Sequence, residues 1–277
     1  MSTPTWRAVR KRGRGTRSFR RMSACENGPD APGFLDARCC CSRILLAELL
    51  LFTGNVERAD VILDAAAQAD PTALIAVAEF RQLLRAEIAR RQYSREGRVP
   101  EFLGEPTDAL RAALAAGVAL RAGEAEEAMR HAAEAEAARP RASGVATQQD
   151  ATISFDDFRD VDDLQAGFFE VLTTTGKYYW IPTERVESIE FEAPRRPRDL
   201  MWRRASMVVS DGPDGVVYIP ALYDSGKTDL GDELRLGRAT EWVDEETGPV
   251  RGIGQRVFLI GDDAQSIMEL ATLRFGS

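Results

Sequence analysis

The sequence predicts an α+β protein, with an N-terminal helical repeat domain followed by a small antiparallel β-rich domain. Three observations carry that expectation. Apolar residues recur at helical spacing between about Leu35 and Pro140. From about Ile153 onward, short apolar runs are separated by turns that contain glycine or proline. Between the two halves lies a polar stretch, 141–151, with Ser143, Gly144, Gln148 and Gln149, which reads as a boundary. The expected organisation is a disordered basic leader over 1–33, a helical domain over 34–142 and a β-rich domain over 152–277.

The length of 277 residues suits two ordinary domains, each with a real core. No apolar run approaches the roughly 18 residues of a membrane helix. The longest candidate, Ile44 to Phe52, is about half that length and carries Glu48. The basic start is not followed by an apolar signal-peptide core, so the expected location is the cytoplasm with no membrane association. Cys25, Cys39, Cys40 and Cys41 cluster near the start, and three of them are adjacent. That spacing fits neither a disulfide framework nor a zinc site.

The leader is distinct in charge. Arg7, Arg10, Lys11, Arg12, Arg14, Arg17, Arg20 and Arg21 occur with no acid among residues 1–21, whereas the whole chain carries −8. A basic arm on an acidic body is compatible with nucleic-acid contact, the alternative reading of this chain. The composition of residues 1–33 favours a disordered leader, because apolar periodicity is absent and Gly13, Gly15, Gly28, Pro29, Pro32 and Gly33 interrupt the segment.

The helical half contains an internal repeat. Gly54 precedes Pro71 by seventeen positions, Gly123 precedes Pro140 by the same seventeen, and the two units lie 69 positions apart. That offset is close to twice the roughly 34-residue tetratricopeptide period. In that pattern Gly54 and Gly123 turn the chain between antiparallel helices. Ala59 and Ala128 sit where the helices cross, Leu63 and Ala66 fill the next turns, and Pro71 and Pro140 stop the second helix. The second unit is alanine-rich and lacks large aromatics. A long helix is expected over Thr72 to Arg95, apolar at Leu74, Val77, Phe80, Leu84 and Ile88.

In the β half, "FFEVLTTTGKYYWIP" reads as a hairpin turning at Thr173–Gly176. "SIEFE" alternates, with Ile189 and Phe191 on one face. "ASMVVSDGPDGVVYIP" is a second hairpin turning at Asp211–Gly215, and "QRVFLIG" is a buried strand. "SIMELATLRF" is compatible with strand or helix. The run Tyr178, Tyr179, Trp180 poses a sharper question, since it could be an aromatic platform or a core strand. A strand apolar on both faces lies between two layers, so core is the expectation.

No catalytic set is assembled in the sequence. His131 is the only histidine, which rules out a histidine-rich zinc site and leaves any conventional triad dependent on a helical residue among acids. Asp156, Asp157, Asp160, Asp162 and Asp163 lack the spacing of a calcium loop and read as a solvated loop. "GIGQR" over Gly252–Arg256 lacks the third glycine of a dinucleotide fingerprint. No cofactor is expected and the chain reads as a non-enzyme. Arg195, Arg196, Arg198, Arg203 and Arg204 form the candidate partner surface.

Several separate segments then line up in order: "LLFTGNVERAD", "VPEFLGEP", "EVLTTTGKYYWIP", "RPRDLMWRRASM", "YIPALYDSG", "LRLGRATEWVDEE" and "GIGQRVFLIGDD". Together they resemble the ImpE family, also called TagJ or SciE-type proteins, accessory proteins of bacterial type VI secretion. The resemblance runs from about Arg38 to Asp263, with Tyr178, Tyr179, Trp180, Asp199, Trp202, Trp242, Gly254, Gln255 and Arg256 among its motif residues. It implies a tetratricopeptide-like domain followed by a β-rich domain, with no catalytic activity. It implies a partner in the small subunit of the contractile sheath. Some members also bind the N-terminal domain of the ClpV ATPase through a helix near their own N-terminus, and here the basic leader stands in that place.

Overall fold

The computed structural model describes residues 39–148, 151–227, 229–244 and 247–276. The leader read over 1–33 lies outside the described residues, as does Cys25.

Two helical hairpins form where the Gly–Pro units lie. The first joins α1 (Cys40–Phe52) to α2 (Val56–Ala69), and the second joins α4 (Asp108–Arg121) to α5 (Ala125–Ala138). Between them runs α3 (Leu74–Glu96), preceded by a 3-10 turn over Pro71–Ala73. Gly54 and Gly123 occupy the two hairpin turns with φ of 74° and 79°. This left-handed backbone costs other residues roughly 1–2 kcal/mol, which is why glycine stands at both. The Asn55 side chain caps α2 by accepting from the Arg58 N–H at 3.2 Å, and Thr107 caps α4 by accepting from Leu110 at 3.3 Å. Asp70 caps the turn at Pro71 by accepting from the Thr72 N–H at 2.9 Å.

The two hairpins are packed differently. Leu51, Val56 and Leu63 fill the first. In the second, Ala113, Ala116, Ala128 and Ala132 are the buried contacts, so the helices meet through small side chains. In α3, Val77, Phe80 and Leu84 are buried as the periodicity requires, while Leu74 at its start stays half exposed.

The β half is built on one eight-stranded antiparallel sheet in the order β2-β1-β13-β6-β7-β8-β4-β5. Its members are β1 (Gly144–Thr147), β2 (Thr152–Phe155), β4 (Phe168–Thr173), β5 (Tyr178–Pro182), β6 (Val186–Phe191), β7 (Trp202–Val209), β8 (Gly215–Pro220) and β13 (Thr272–Phe275). A three-stranded sheet joins β3 (Phe158–Asp160), β11 (Val257–Ile260) and β12 (Asp263–Ser266). A ribbon pairs β9 (Thr240–Val243) with β10 (Arg251–Gly254), preceded by a short helix, α6 (Asp232–Arg235). Both hairpins expected from the sequence form, as β4–β5 and β7–β8.

The stretch 141–151 is not only a linker. It contributes β1, which pairs with β2 on one side and β13 on the other. Its polar residues mask the strand because only Gly144 and Ala146 face the interior. The ambiguous "SIMELATLRF" resolves into a turn that buries Ile267 and Leu270 and then strand β13. At the far edge of the sheet, the loop after α3 covers β5. Glu101 donates its N–H to the Tyr178 carbonyl at 2.9 Å and accepts from the Trp180 N–H at 3.1 Å.

Side-chain alternation places the two cores. Phe168, Leu172, Tyr178, Trp180, Trp202 and Tyr218 face the helices and join Val77, Phe80 and Leu84 in one cluster. Their neighbours Phe169, Val171, Tyr179, Ile181 and Val217 face the other way, onto Phe158, Phe258 and Ile260 of the small sheet. The large sheet is thus the middle of three layers. The aromatic run of β5 is buried on both faces, with Tyr178, Tyr179 and Trp180 each no more than 3% exposed. It is core rather than platform.

Candidate functional site at the helix–sheet junction

The helix-facing core contains charge. Glu170 is the only acid in β4, and the alternation that puts Phe168 and Leu172 against the helices puts it there too. It accepts from Arg90 of α3 at 2.9 Å to each oxygen, Nε to Oε1 and Nη2 to Oε2. Arg90 Nη2 also donates to the Leu222 carbonyl at 2.9 Å. Arg256, fully buried, donates to Glu170 Oε2, and the Tyr178 hydroxyl donates to Oε1. Trp180 Nε1 in turn donates to the Tyr178 hydroxyl at 2.6 Å. One turn earlier in α3, Glu87 accepts from Trp202 Nε1 at 3.2 Å and pairs with Arg91 at 3.0 Å.

The network continues into the acidic loop. Arg256 Nη1 lies 3.2 Å from Asp160 Oδ2, and the Tyr223 hydroxyl donates to Asp160 Oδ1 at 2.6 Å. Asp162 accepts from the Leu164 N–H and the Gly252 N–H, both at 2.9 Å. Asp160 and Asp162 are 2% and 4% exposed, which corrects the reading of this stretch as a solvated loop. The buried Arg256 draws Asp160 inward, and backbone N–H groups stand in for water at Asp162.

Charge states follow from the geometry. Burial pushes Glu170 up, but two arginines and their hydrogen bonds outweigh it and bring its pKa down to about 2. Burial raises Asp160 to about 6, against the opposing pull of Arg256. Burial and the neighbouring Asp160 raise Asp162 to about 7. The buried groups are thus four acids (Glu87, Glu170, Asp160, Asp162) facing the three arginines at positions 90, 91 and 256.

The motif residues are distributed around this junction. Tyr178, Trp180, Trp202 and Arg256 belong to the network, and Tyr179 lies in the opposite core. Asp199 accepts the Arg195 and Arg196 N–H groups at 2.9 and 3.1 Å, closing the turn before β7. Gly254 accepts the Tyr223 N–H at 2.9 Å. Gln255 donates to the Gly237 carbonyl and accepts from Ser266, both at 2.6 Å. Trp242 packs edge-on against Tyr223 and is 38% exposed. The glycines of "GIGQR" serve packing, since a Cβ on Gly252 would sit 2.2 Å from the Tyr223 ring. His131 lies on α5 between Glu127 and Glu134, away from the junction.

The arginine run works mostly inward, which corrects its reading as a solvent-facing partner surface. Arg203 is buried, donates to the Ile267 and Leu270 carbonyls at 2.8 and 3.2 Å, and is pulled by burial to a pKa of about 10. Arg198 is buried over the Phe80 ring, and Arg196 lies 2.7 Å from the buried carboxylate of Glu48. Arg204 pairs with Glu192. Arg195 alone of the five is fully exposed.

Sequence reasoning missed Glu87, Arg90, Glu170 and Tyr223. The available signal was Glu170, a charge stranded in the apolar run "FFEVLT". A carboxylate in a strand buried on both faces needs a cationic partner.

The ImpE protein family matches residues 152–274. A type VI secretion system accessory component, TagJ of Pseudomonas aeruginosa, is 31% identical over 237 residues, which span 84% of this chain and 80% of that protein. The crystal structure of a Vibrio parahaemolyticus protein superposes with a TM-score of 0.79 at 24% identity, covering 88% of this chain and 90% of that one, which shows a shared fold. With that identity to TagJ sustained over most of its length and the family match across its β half, the chain belongs to the ImpE/TagJ family.

Proposed function

We propose that this protein is a non-enzymatic adaptor of a bacterial type VI secretion system. The observation that carries this reading is the 31% identity to an accessory component of that system across 84% of the chain. Its partner in this reading is the small subunit of the contractile sheath, and the ClpV N-terminal domain is the second candidate. The working compartment is the cytoplasm, and among the described residues no helix is long and apolar enough to cross a membrane. The buried charges support a scaffold role. They are consumed by one another and tie α3 to the sheet, which suits a protein that holds partners in fixed relation. The two domains, 34–142 and 152–277, are proposed to act as one body because they share a core.

The test is co-purification of the full chain with the sheath small subunit, and separately with the ClpV N-terminal domain. Retention of the sheath subunit at physiological salt is the expected result. Failure to bind any sheath component, together with salt-dependent nucleic-acid binding lost on deleting residues 1–33, would favour the basic-arm reading.

A further inference from the structure

A cavity of about 130 Å³ lies between α3, α4 and the loop–ribbon region of the β half. That is roughly ten times the 10–15 Å³ that a single water requires, so it admits a small molecule. Its wall combines the Tyr93, Trp180 and Tyr223 side chains with an unequal set of charges.

The acids of the wall are already engaged. Glu170 is held by Arg90, and both Asp162 oxygens accept backbone N–H groups. Asp224 accepts from the Ser94 hydroxyl at 2.6 Å and the Gly226 N–H at 3.3 Å. Three cations of the wall, Arg121, Lys227 and Arg251, have no carboxylate within ion-pair distance among the described residues. Arg121 is nevertheless fixed in place, donating to the Tyr93 carbonyl at 3.0 Å with its guanidinium over the Tyr93 ring. Once Arg90 and Glu170 cancel, three cations of the wall face at most two anions among the described residues. An occupant that completes this site supplies a negative charge to the cations.

We propose that this cavity binds a small oxyanion, a carboxylate or phosphate. Arg121, Lys227 and Arg251 would hold the charge. The site uses residues from both halves of the chain, so an occupant would strengthen their contact as well as fill the space.

The test is calorimetric titration of the full-length protein with L-malate, succinate and inorganic phosphate at constant ionic strength. Malate and succinate represent carboxylates, and phosphate separates a phosphate source from a carboxylate one. Saturable binding is expected for the two dicarboxylates or for phosphate. The double variant Lys227→Gln/Arg251→Gln should bind about ten-fold more weakly, the scale of losing a charge-assisted hydrogen bond. Arg204→Gln, remote from the cavity, should bind as wild type. Both variants change exposed or half-exposed residues, and matched circular dichroism and melting curves establish that they fold. No saturable binding of any probe at millimolar concentration, or equal affinity in the wild type and the double variant, would overturn the proposal.

Discussion

The two faces of the central sheet are both buried and are built by opposite means. Toward the small sheet, Phe155, Phe158, Phe169, Phe258 and Phe275 pack as tilted and edge-on rings with centroids 5.0 to 6.2 Å apart. Toward the helices, Tyr178, Trp180 and Trp202 each spend a polar atom on a carboxylate network. Dispersion and apolar burial are nearly directionless, so the first face tolerates rearrangement. Charge-assisted hydrogen bonds are directional, and a lost partner strands a charge in low dielectric. The same strands therefore carry one forgiving interface and one that admits a single arrangement. The unforgiving one joins the two halves of the chain.

Changes that preserve volume should separate the faces most widely. Glu170→Gln keeps the shape but leaves Arg90 and Arg256 without their shared anion, and should cost about 3–5 kcal/mol in urea unfolding. Leu273→Met, fully buried on the opposite face, should cost less than about 1.5 kcal/mol. Equal costs would break the comparison.

The pH dependence should also belong to one face. Glu170 sits near 2 in the fold and near 4.5 when unfolded, so its contribution is present above about 4.5 and is lost as pH falls toward 2. Asp160 and Asp162 are raised to about 6 and 7 from 3.8, so their contribution is full below about 3.8 and is lost as pH rises toward 7. The contribution of these three groups should therefore peak near pH 4 and fall as pH rises toward 7. Asp162→Asn removes one titrating member of the pair. The cost of that substitution should shrink as pH rises from 4 to 7, measured as the difference between wild-type and variant unfolding midpoints. A constant difference across that range would show that the pair does not titrate there.

The smallest expected effect sharpens a second contrast, between the two helical hairpins. Gly54→Ala and Gly123→Ala each force a left-handed alanine and should each cost about 1–2 kcal/mol. A Cβ at Gly123 meets nothing within 4 Å, and at Gly54 it meets only Arg91 Nη1 at 3.8 Å. Matching costs would show that backbone conformation, rather than packing, explains both glycines. Much the larger loss at Gly54 would assign the effect to the Arg91 contact with its carbonyl.

The forgiving face was legible in the sequence and the exacting one was not. The period-2 pattern of "SIEFE" and the double-sided "YYWIP" name which residues are inside, because burial is written in residue type and spacing. The Gly–Pro interval likewise names both helical turns. The network could not be read this way, since Arg90 and Glu170 are 80 positions apart and Arg256 lies 86 beyond Glu170. Arg90 and Arg256 alone look like surface charges, and although Glu170 stands out in its apolar run, only the fold shows that the two arginines share its carboxylate. Asp160 and Asp162 misled for the same reason, because their desolvation is compensated by distant residues and by backbone groups. Strand β1 was hidden because a four-residue strand with half-exposed Val145 and Thr147 carries too short a pattern to stand out.

The Glu170 network locks α3 onto the sheet through Arg90. Native-state hydrogen exchange on wild-type protein and Glu170→Gln, under conditions where both remain folded, tests it directly. The account requires amides of α3 between Val77 and Arg90 to lose protection together with those of β4 and β5, while β11 and β13 on the phenylalanine side keep theirs. Protection lost uniformly across the molecule, or lost from β11 and β13 while α3 stays protected, would contradict it.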